Sequence, residues 1–221
     1  MKLFLNAAAK FISGVVLTLL CLFLPAGTLY YPRGWLFCVL LFVPMLFLGM
    51  ALFLFDPELL EKRLKTKEAS KHQLSVVAAS GLLIAAVMVL AGLDYRYGWT
   101  NGPKALSFAA AAVLLAAYAM YAEVMRENRF LSRTVEIQTG QKVIDTGLYG
   151  VIRHPMYTAT IFLFSAMALV LGSWISFGLS LLYPALIVIR LKNEEELLDR
   201  ELEGYSQYKK TVRYRLIPFL W

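Results

Sequence analysis

Two short stretches of this 221-residue sequence combine residue types that can act on a ligand. The first is Thr146-Gly147-Leu148-Tyr149-Gly150-Val151-Ile152-Arg153-His154-Pro155-Met156-Tyr157, with paired glycines, an Arg-His dyad and a proline opening an apolar run. Proline suits the first position of a helix, where its missing N–H would have had no partner. The neighbouring free N–H groups then form a positive helix end that favours a carboxylate or phosphate. The second stretch is Arg190-Leu191-Lys192-Asn193-Glu194-Glu195-Glu196. Arg190 and Glu194 stand four apart and share a helical face. They either form a simple ion pair worth about 0.2–0.5 kcal/mol or hold the opposite charges of a zwitterionic ligand. Taken singly, each group has a plainer reading: Arg153 as a cation reaching the membrane interface along its own stem, His154 as a helix cap, and the three glutamates as a solvated face.

The elements that must position these residues are apolar. Hydrophobic residues make up 59% of the chain and charged ones 17%, against roughly half and a quarter in soluble domains. Residues 11–32, 34–55, 73–93 and 105–122 carry no charged side chain, and in 154–189 the only group that can carry charge near neutral pH is His154. Runs of about 20 such residues cross a hydrocarbon layer, so the chain reads as an integral membrane protein. The strand-and-helix alternation of soluble Rossmann and barrel enzymes is missing. Cys21 and Cys38 both fall inside apolar runs, where a thiol behaves as a small hydrophobe. They imply neither a disulfide framework nor a metal cluster.

The last apolar run is long enough for two spans, and Gly172-Ser173 near its middle is a turn signal. This gives an all-α, polytopic bundle of six transmembrane helices, near 11–30, 34–55, 74–93, 104–125, 155–171 and 174–190. Of the 22 Lys and Arg residues, all but Arg33, Arg96 and Lys104 then fall on one side, which the positive-inside rule makes cytoplasmic, with both termini. The same rule explains the net charge of +7 without nucleic acid. Lys2, Lys10 and the apolar residues after them resemble a signal peptide, but Leu24-Pro25-Ala26-Gly27 is a poor cleavage site, so the first run is expected to remain as a span. An interfacial segment is expected over 56–73, opening with Asp56 as helix cap and Pro57 at the first helical position. Leu197, Leu198, Leu202, Tyr205 and Tyr208 are spaced for a polar helix along the membrane surface over 194–210. The alanines at 109–112 and 116–117 suit close helix packing, within the chain or between subunits. Residues 1–125 form an N-terminal transmembrane region. Residues 126–221 form a second unit of loop, hairpin 155–190 and polar helix, with a pocket at the cytoplasmic boundary.

The ordered set Gly147-Leu148-Tyr149-Gly150-Val151-Ile152-Arg153-His154-Pro155-Met156-Tyr157, an apolar hairpin, Arg190-x3-Glu194-Glu195-x2-Leu198, Gly204-Tyr205-x2-Tyr208-Lys209-Lys210 and Arg215-Leu216-Ile217-Pro218 resembles the isoprenylcysteine carboxyl methyltransferases and the related phospholipid methyltransferases. The resemblance covers residues 125–221 and implies a membrane enzyme using S-adenosyl-L-methionine. It implies cofactor contacts from Gln141, Lys142, Val143, Ile144, Tyr149, His154, Pro155, Met156, Tyr157 and Glu194, and a substrate-carboxylate contact, hence a catalytic role, from Arg190. Two positions depart from the family pattern: Ala159 stands where a glycine is common, and Thr134 where the family has a glutamine, with Gln138 nearby.

These residue types fit the cofactor. Glu194 can pair an ammonium, Tyr149 or Tyr157 can offer an aromatic face to a cation or an adenine, and N–H groups near Pro155 can receive a carboxylate. Methyl transfer by in-line displacement asks the protein chiefly to align the acceptor and exclude water. A carboxylate acceptor needs orientation by Arg190. An amine acceptor needs its proton removed, with Glu195 as candidate base. The resemblance therefore implies methylation of a lipophilic small-molecule or lipidated acceptor drawn from the membrane, first an isoprenylcysteine-like carboxylate and second a phospholipid amine. A transporter or membrane scaffold is the rival outside catalysis. Transporters carry polar groups at mid-membrane, and these spans have almost none.

Overall fold

A computed structural model describes residues 1–64, 71–132, 134 and 136–221 of the chain. The described residues are helical, with no strand among them. In chain order the helices are α1 (Lys2–Ala26), α2 (Pro32–Phe55), α3 (Pro57–Leu64), α4 (Lys71–Tyr97), α5 (Lys104–Glu127), α6 (Pro155–Leu171), α7 (Trp174–Ser180), α8 (Tyr183–Glu201) and α9 (Tyr205–Thr211). A single 3-10 turn, Gly147–Gly150, precedes α6.

Five segments are long and apolar enough to cross a bilayer: α1, α2, α4, α5 and the stretch Trp174–Glu201 that holds α7 and α8. The shorter α6 is equally apolar, and together they account for the six spans expected from sequence. Large side chains such as Leu24, Phe47, Leu54 and Leu82 remain exposed, as a lipid-facing surface requires, because lipid tails are as apolar as the side chains themselves.

Three boundaries differ from the sequence reading. The last span breaks at Leu181-Leu182, because Pro184 at the start of α8 supplies no N–H to the preceding turn. α8 then runs on without interruption through the polar residues to Glu201. The surface helix expected over 194–210 is therefore two pieces, divided where Gly204 adopts φ 84°, a left-handed conformation that suits glycine. The helix expected after Asp56 forms, with the Asp56 carboxylate accepting from Leu59 N at 3.1 Å. The 65–70 part of that interfacial segment lies outside the described residues.

The main core joins Leu22 of α1, Phe37 of α2, Val87 of α4, Leu114 of α5 and Met167 of α6. Two close approaches set its geometry. A Cβ on Gly92 of α4 would lie 2.4 Å from the Leu22 carbonyl oxygen, so α1 and α4 cross nearly backbone to backbone. On α5, Ala110, Ala111 and Ala117 are buried, whereas Ala109, Ala112 and Ala116 are exposed. The alanine tract thus serves packing within the chain on one face only. At the end of the bundle away from the 128–154 loop, buried Asp94 accepts from Thr100 N at 2.6 Å and from the hydroxyls of Thr100 and Ser173. It thereby ties the α4–α5 connection to the α6–α7 turn at Gly172-Ser173.

Candidate functional site

The polar residues gather at the opposite end, around a cleft between the 128–144 loop, the 3-10 turn, the start of α6, α8 and α9. The space between its walls, including the open mouth, is about 890 Å³.

The 3-10 turn is fixed from both sides. The Glu127 carboxylate at the end of α5 accepts from Leu148 N at 3.1 Å, and Tyr208 of α9 donates to the Tyr149 carbonyl at 2.7 Å. Gly147 at φ 51° packs against Glu127 so closely that any Cβ would overlap the carboxylate. Asn128 Nδ2 donates to the Tyr149 hydroxyl at 2.9 Å. This aims the Tyr149 ring into the cleft wall.

On the facing wall, the Tyr157 hydroxyl donates to Glu194 Oε2 and accepts from Arg190 Nε at 3.2 Å. The Arg190 and Glu194 pair noted in the sequence is thus bridged by a phenol from α6, with both charged groups on the cleft. His154 caps α6 and stacks on Tyr157 with ring centroids 5.7 Å apart. Leu197 and Leu198 of α8, with Leu202, Val143 and Ile144, line the apolar part of the cleft.

Glu195, one residue on from Glu194, points elsewhere. It does not line the cleft. Its Oε1 accepts from Arg153 Nε at 2.8 Å and lies 3.2 Å from His154 Nε2, and its Oε2 accepts from Arg215 Nε at 2.8 Å. Arg153 also donates Nη1 to the carbonyls of Val212 and Arg213. With Arg153 and Glu195 only 8% and 5% exposed, this network joins α6, α8 and the C-terminal segment. A carboxylate so fully engaged is badly placed to take a proton from an amine, the role considered for it on sequence grounds.

Of the expected cofactor contacts, Gln141, Lys142, Val143, Ile144, Tyr149, His154, Met156, Tyr157 and Glu194 all line the cleft, as does Arg190. Pro155 does not, being among the most deeply buried residues. The anion site expected near it is partly taken, since Arg153 N and His154 N bond to the carbonyls of Tyr214 and Arg215 at 2.9 and 3.0 Å. Thr134, one of the departures from the family pattern, lines the cleft, and Ala159, the other, is wholly buried in α6.

Several lining residues escaped sequence reasoning, among them Asn128, Phe130, Ser132, Glu136 and Ile137 of the loop, and Tyr205 and Tyr208 of α9. The tyrosines belonged to a recognisable motif without an assigned role. The loop residues follow no periodicity that could have flagged them. Burial pushes the phenols of Tyr149, Tyr205 and Tyr208 above the ordinary range, so all three act as neutral hydrogen-bonding groups near pH 7. The Tyr205 hydroxyl is buried yet meets no partner among the described residues. Such an orphan costs about 1–3 kcal/mol unless a ligand or water completes it.

Residues 104–203 match the family model described as phospholipid methyltransferase. The match covers 100 of the 221 residues, a little under half of the chain. The fold resembles that of the eukaryotic intramembrane Ras methyltransferase ICMT (isoprenylcysteine carboxyl methyltransferase), with a TM-score of 0.59 at 17% identity, covering 97% of this chain and 75% of that one. A 91-residue stretch is 29% identical to the Delta(14)-sterol reductase TM7SF2 of Mus musculus, spanning 40% of this chain and 22% of that protein.

Proposed function

We propose that the protein transfers the methyl group of S-adenosyl-L-methionine to a lipophilic acceptor that enters from the bilayer, with a carboxylate of isoprenylcysteine type as the first candidate. The observation that carries this reading is the convergence of Glu194, Tyr157 and Arg190 on one wall of the cleft. Glu194 would hold the ammonium of the cofactor, and Tyr157 sets the position of that carboxylate. Tyr149, Leu198 and Val143 offer flat and apolar surface to the adenosyl part, and the orphan Tyr205 hydroxyl is a ready partner for one of its polar atoms. The residues present therefore fit the group. When bound it supplies an electrophilic methyl on a sulfonium.

The chain's own part is to bind, orient and exclude water. Arg190 would hold an acceptor carboxylate in line with the methyl, and because that carboxylate is already ionised no base is required. Glu195 is committed to Arg153, His154 and Arg215, which favours the carboxylate over an acceptor needing deprotonation. Phospholipid amine methylation is the second reading, favoured by the family model that matches residues 104–203. N- and C-termini on the cytoplasmic side complete the proposal, since that arrangement opens the cleft to cytosolic cofactor.

The test is calorimetry on detergent-purified protein titrated with S-adenosylhomocysteine, with a nicotinamide dinucleotide as the control suggested by the sterol reductase likeness. Binding of the first alone is expected. Methyl transfer is then followed with S-farnesyl-N-acetylcysteine and with phosphatidylethanolamine. Base-labile product identifies the ester, and base-stable product the amine. Folded protein that binds dinucleotide and not S-adenosylhomocysteine refutes the proposal.

A further inference from the structure

One cation beside the cleft comes from outside the family-matched region. Arg63 ends α3, the short helix that follows the apolar span α2, and so sits at the depth where a bilayer's head groups lie. Its Nη1 donates to the Ser132 carbonyl at 3.0 Å and lies 3.6 Å from Met156 Sδ, and both of those residues line the cleft. Its Nη2 donates to the Tyr121 hydroxyl, and the guanidinium also lies 5.4 Å from the centre of that ring.

Every one of these partners is neutral. Among the described residues no carboxylate pairs with Arg63: on its own helix Glu58 is bound to Lys62 at 2.8 Å and Glu61 forms no ion pair with Arg63, and Asp56 caps the helix through Leu59 N. A guanidinium has five N–H donors in a planar fork, and Nε and part of Nη2 have no acceptor among the described residues. A half-buried cation held on a carbonyl, a thioether and a phenol has no charge from the protein to balance it, and an anion binding at its open side would supply one. A planar fork favours one with two oxygens in a plane or on a tetrahedron.

We infer that Arg63 is an acceptor-binding residue that shares with Arg190 the anionic oxygens of the methyl acceptor's head group, a carboxylate or a phosphodiester, at the lipid side of the cleft. This rests on the methyltransferase reading for the identity of the ligand as acceptor. The binding itself needs no turnover. It gives the N-terminal region a direct part in acceptor choice: Arg63 selects an amphiphile carrying a negative head, and Glu194, across the cleft, is left to the positively charged cofactor.

The experiment measures amphiphile binding by native mass spectrometry in neutral detergent, on protein saturated with S-adenosylhomocysteine so that no methyl is transferred. The probes are S-farnesyl-N-acetylcysteine, its uncharged methyl ester, and dioleoyl phosphatidylethanolamine. Wild type is expected to bind one of the two probes that carry an anionic group, the carboxylate or the phosphodiester, at least tenfold more tightly than Arg63→Gln does, with Arg63→Lys in between. The methyl ester should bind all three proteins alike. Preference for the first probe marks a carboxylate acceptor, and preference for the third a phosphodiester lipid. A merely structural Arg63 would lower the affinity for the ester and for S-adenosylhomocysteine as well, which overturns the inference. So does equal binding of both anionic probes by wild type and Arg63→Gln, or failure of wild type to bind either. Cofactor affinity, read separately on the same samples, reports on the methyltransferase reading, so the two stand or fall apart.

Discussion

Replacing Glu195 with glutamine isolates the buried network from the cleft chemistry. Glu195 is 5% exposed and meets Arg153, His154 and Arg215 at 2.8, 3.2 and 2.8 Å. Removing one partner of a buried ion pair costs about 3–5 kcal/mol, because the other charge is left uncompensated. The lower end applies here. The amide oxygen can still accept one donor, and the Arg215 side chain is 34% exposed, so it can turn to water. Arg153, 8% exposed, cannot. A loss of about 3 kcal/mol lowers the melting temperature by roughly 6–12 °C for a chain of this size. Intrinsic tryptophan fluorescence during heating in mild detergent reads it, with Glu194→Gln as the neighbouring control. That control should melt within about 2 °C of wild type and lose tenfold or more in cofactor affinity, because a hydrogen bond to a charged group is worth about 1.5–3 kcal/mol. If Glu195→Gln melts like wild type while losing cofactor, the division of labour argued for the two carboxylates is wrong.

Three further substitutions test other joints of the structure. Tyr157→Phe removes the hydroxyl between Arg190 and Glu194 and should weaken S-adenosylhomocysteine binding by calorimetry about tenfold, equivalent to about 1.4 kcal/mol, with little change in melting. Gly92→Ala places a methyl 2.4 Å from the Leu22 carbonyl, so α1 and α4 must separate, and the melting curve should record a loss of about 1–3 kcal/mol. Asp94→Ala leaves Thr100 N and the hydroxyls of Thr100 and Ser173 without their acceptor. It should destabilise by about 1–3 kcal/mol, while cofactor affinity measured at the far end of the bundle stays the same.

The spans were legible in the sequence because a bilayer imposes a length on every crossing, and Gly172 sits at the α6–α7 turn with φ 80° as its type suggested. Most of the cofactor wall was legible for a different reason: Tyr149, His154, Tyr157, Arg190 and Glu194 fall in short ordered motifs that resemble a family. The break at Leu181-Leu182 had a signal in Pro184, hidden within an unbroken apolar run. What could not be read were partnerships between distant segments. Arg153 meets Glu195 at a separation of 42 residues, and Arg63 meets Met156 at 93. Neither spacing carries a period. Asn128, Phe130, Ser132, Thr134, Glu136 and Ile137 likewise line the cleft through tertiary placement alone.

The two adjacent glutamates show how one helix serves both purposes. Successive residues on an α-helix point about 100° apart, so when α8 presents Glu194 to the cleft, Glu195 necessarily turns toward its packed side. There it finds Arg153 at the start of α6 and Arg215 in the C-terminal segment. That segment lies across the start of α6, accepting from Arg153 N and His154 N through Tyr214 O and Arg215 O, and from the Thr158 hydroxyl through Leu216 O. α6 and α8 are thus clamped together at the level of the cleft, and the clamp fixes the separation of Tyr157 from Glu194 and Arg190. In-line transfer is sensitive to displacements of an ångström or so in the groups that position the reactants. A cluster of cationic groups around a single buried carboxylate, with Arg153 and His154 reaching the cleft wall and Glu195 and Arg215 behind it, is therefore how this chain keeps a site at a membrane surface rigid without filling the cleft itself.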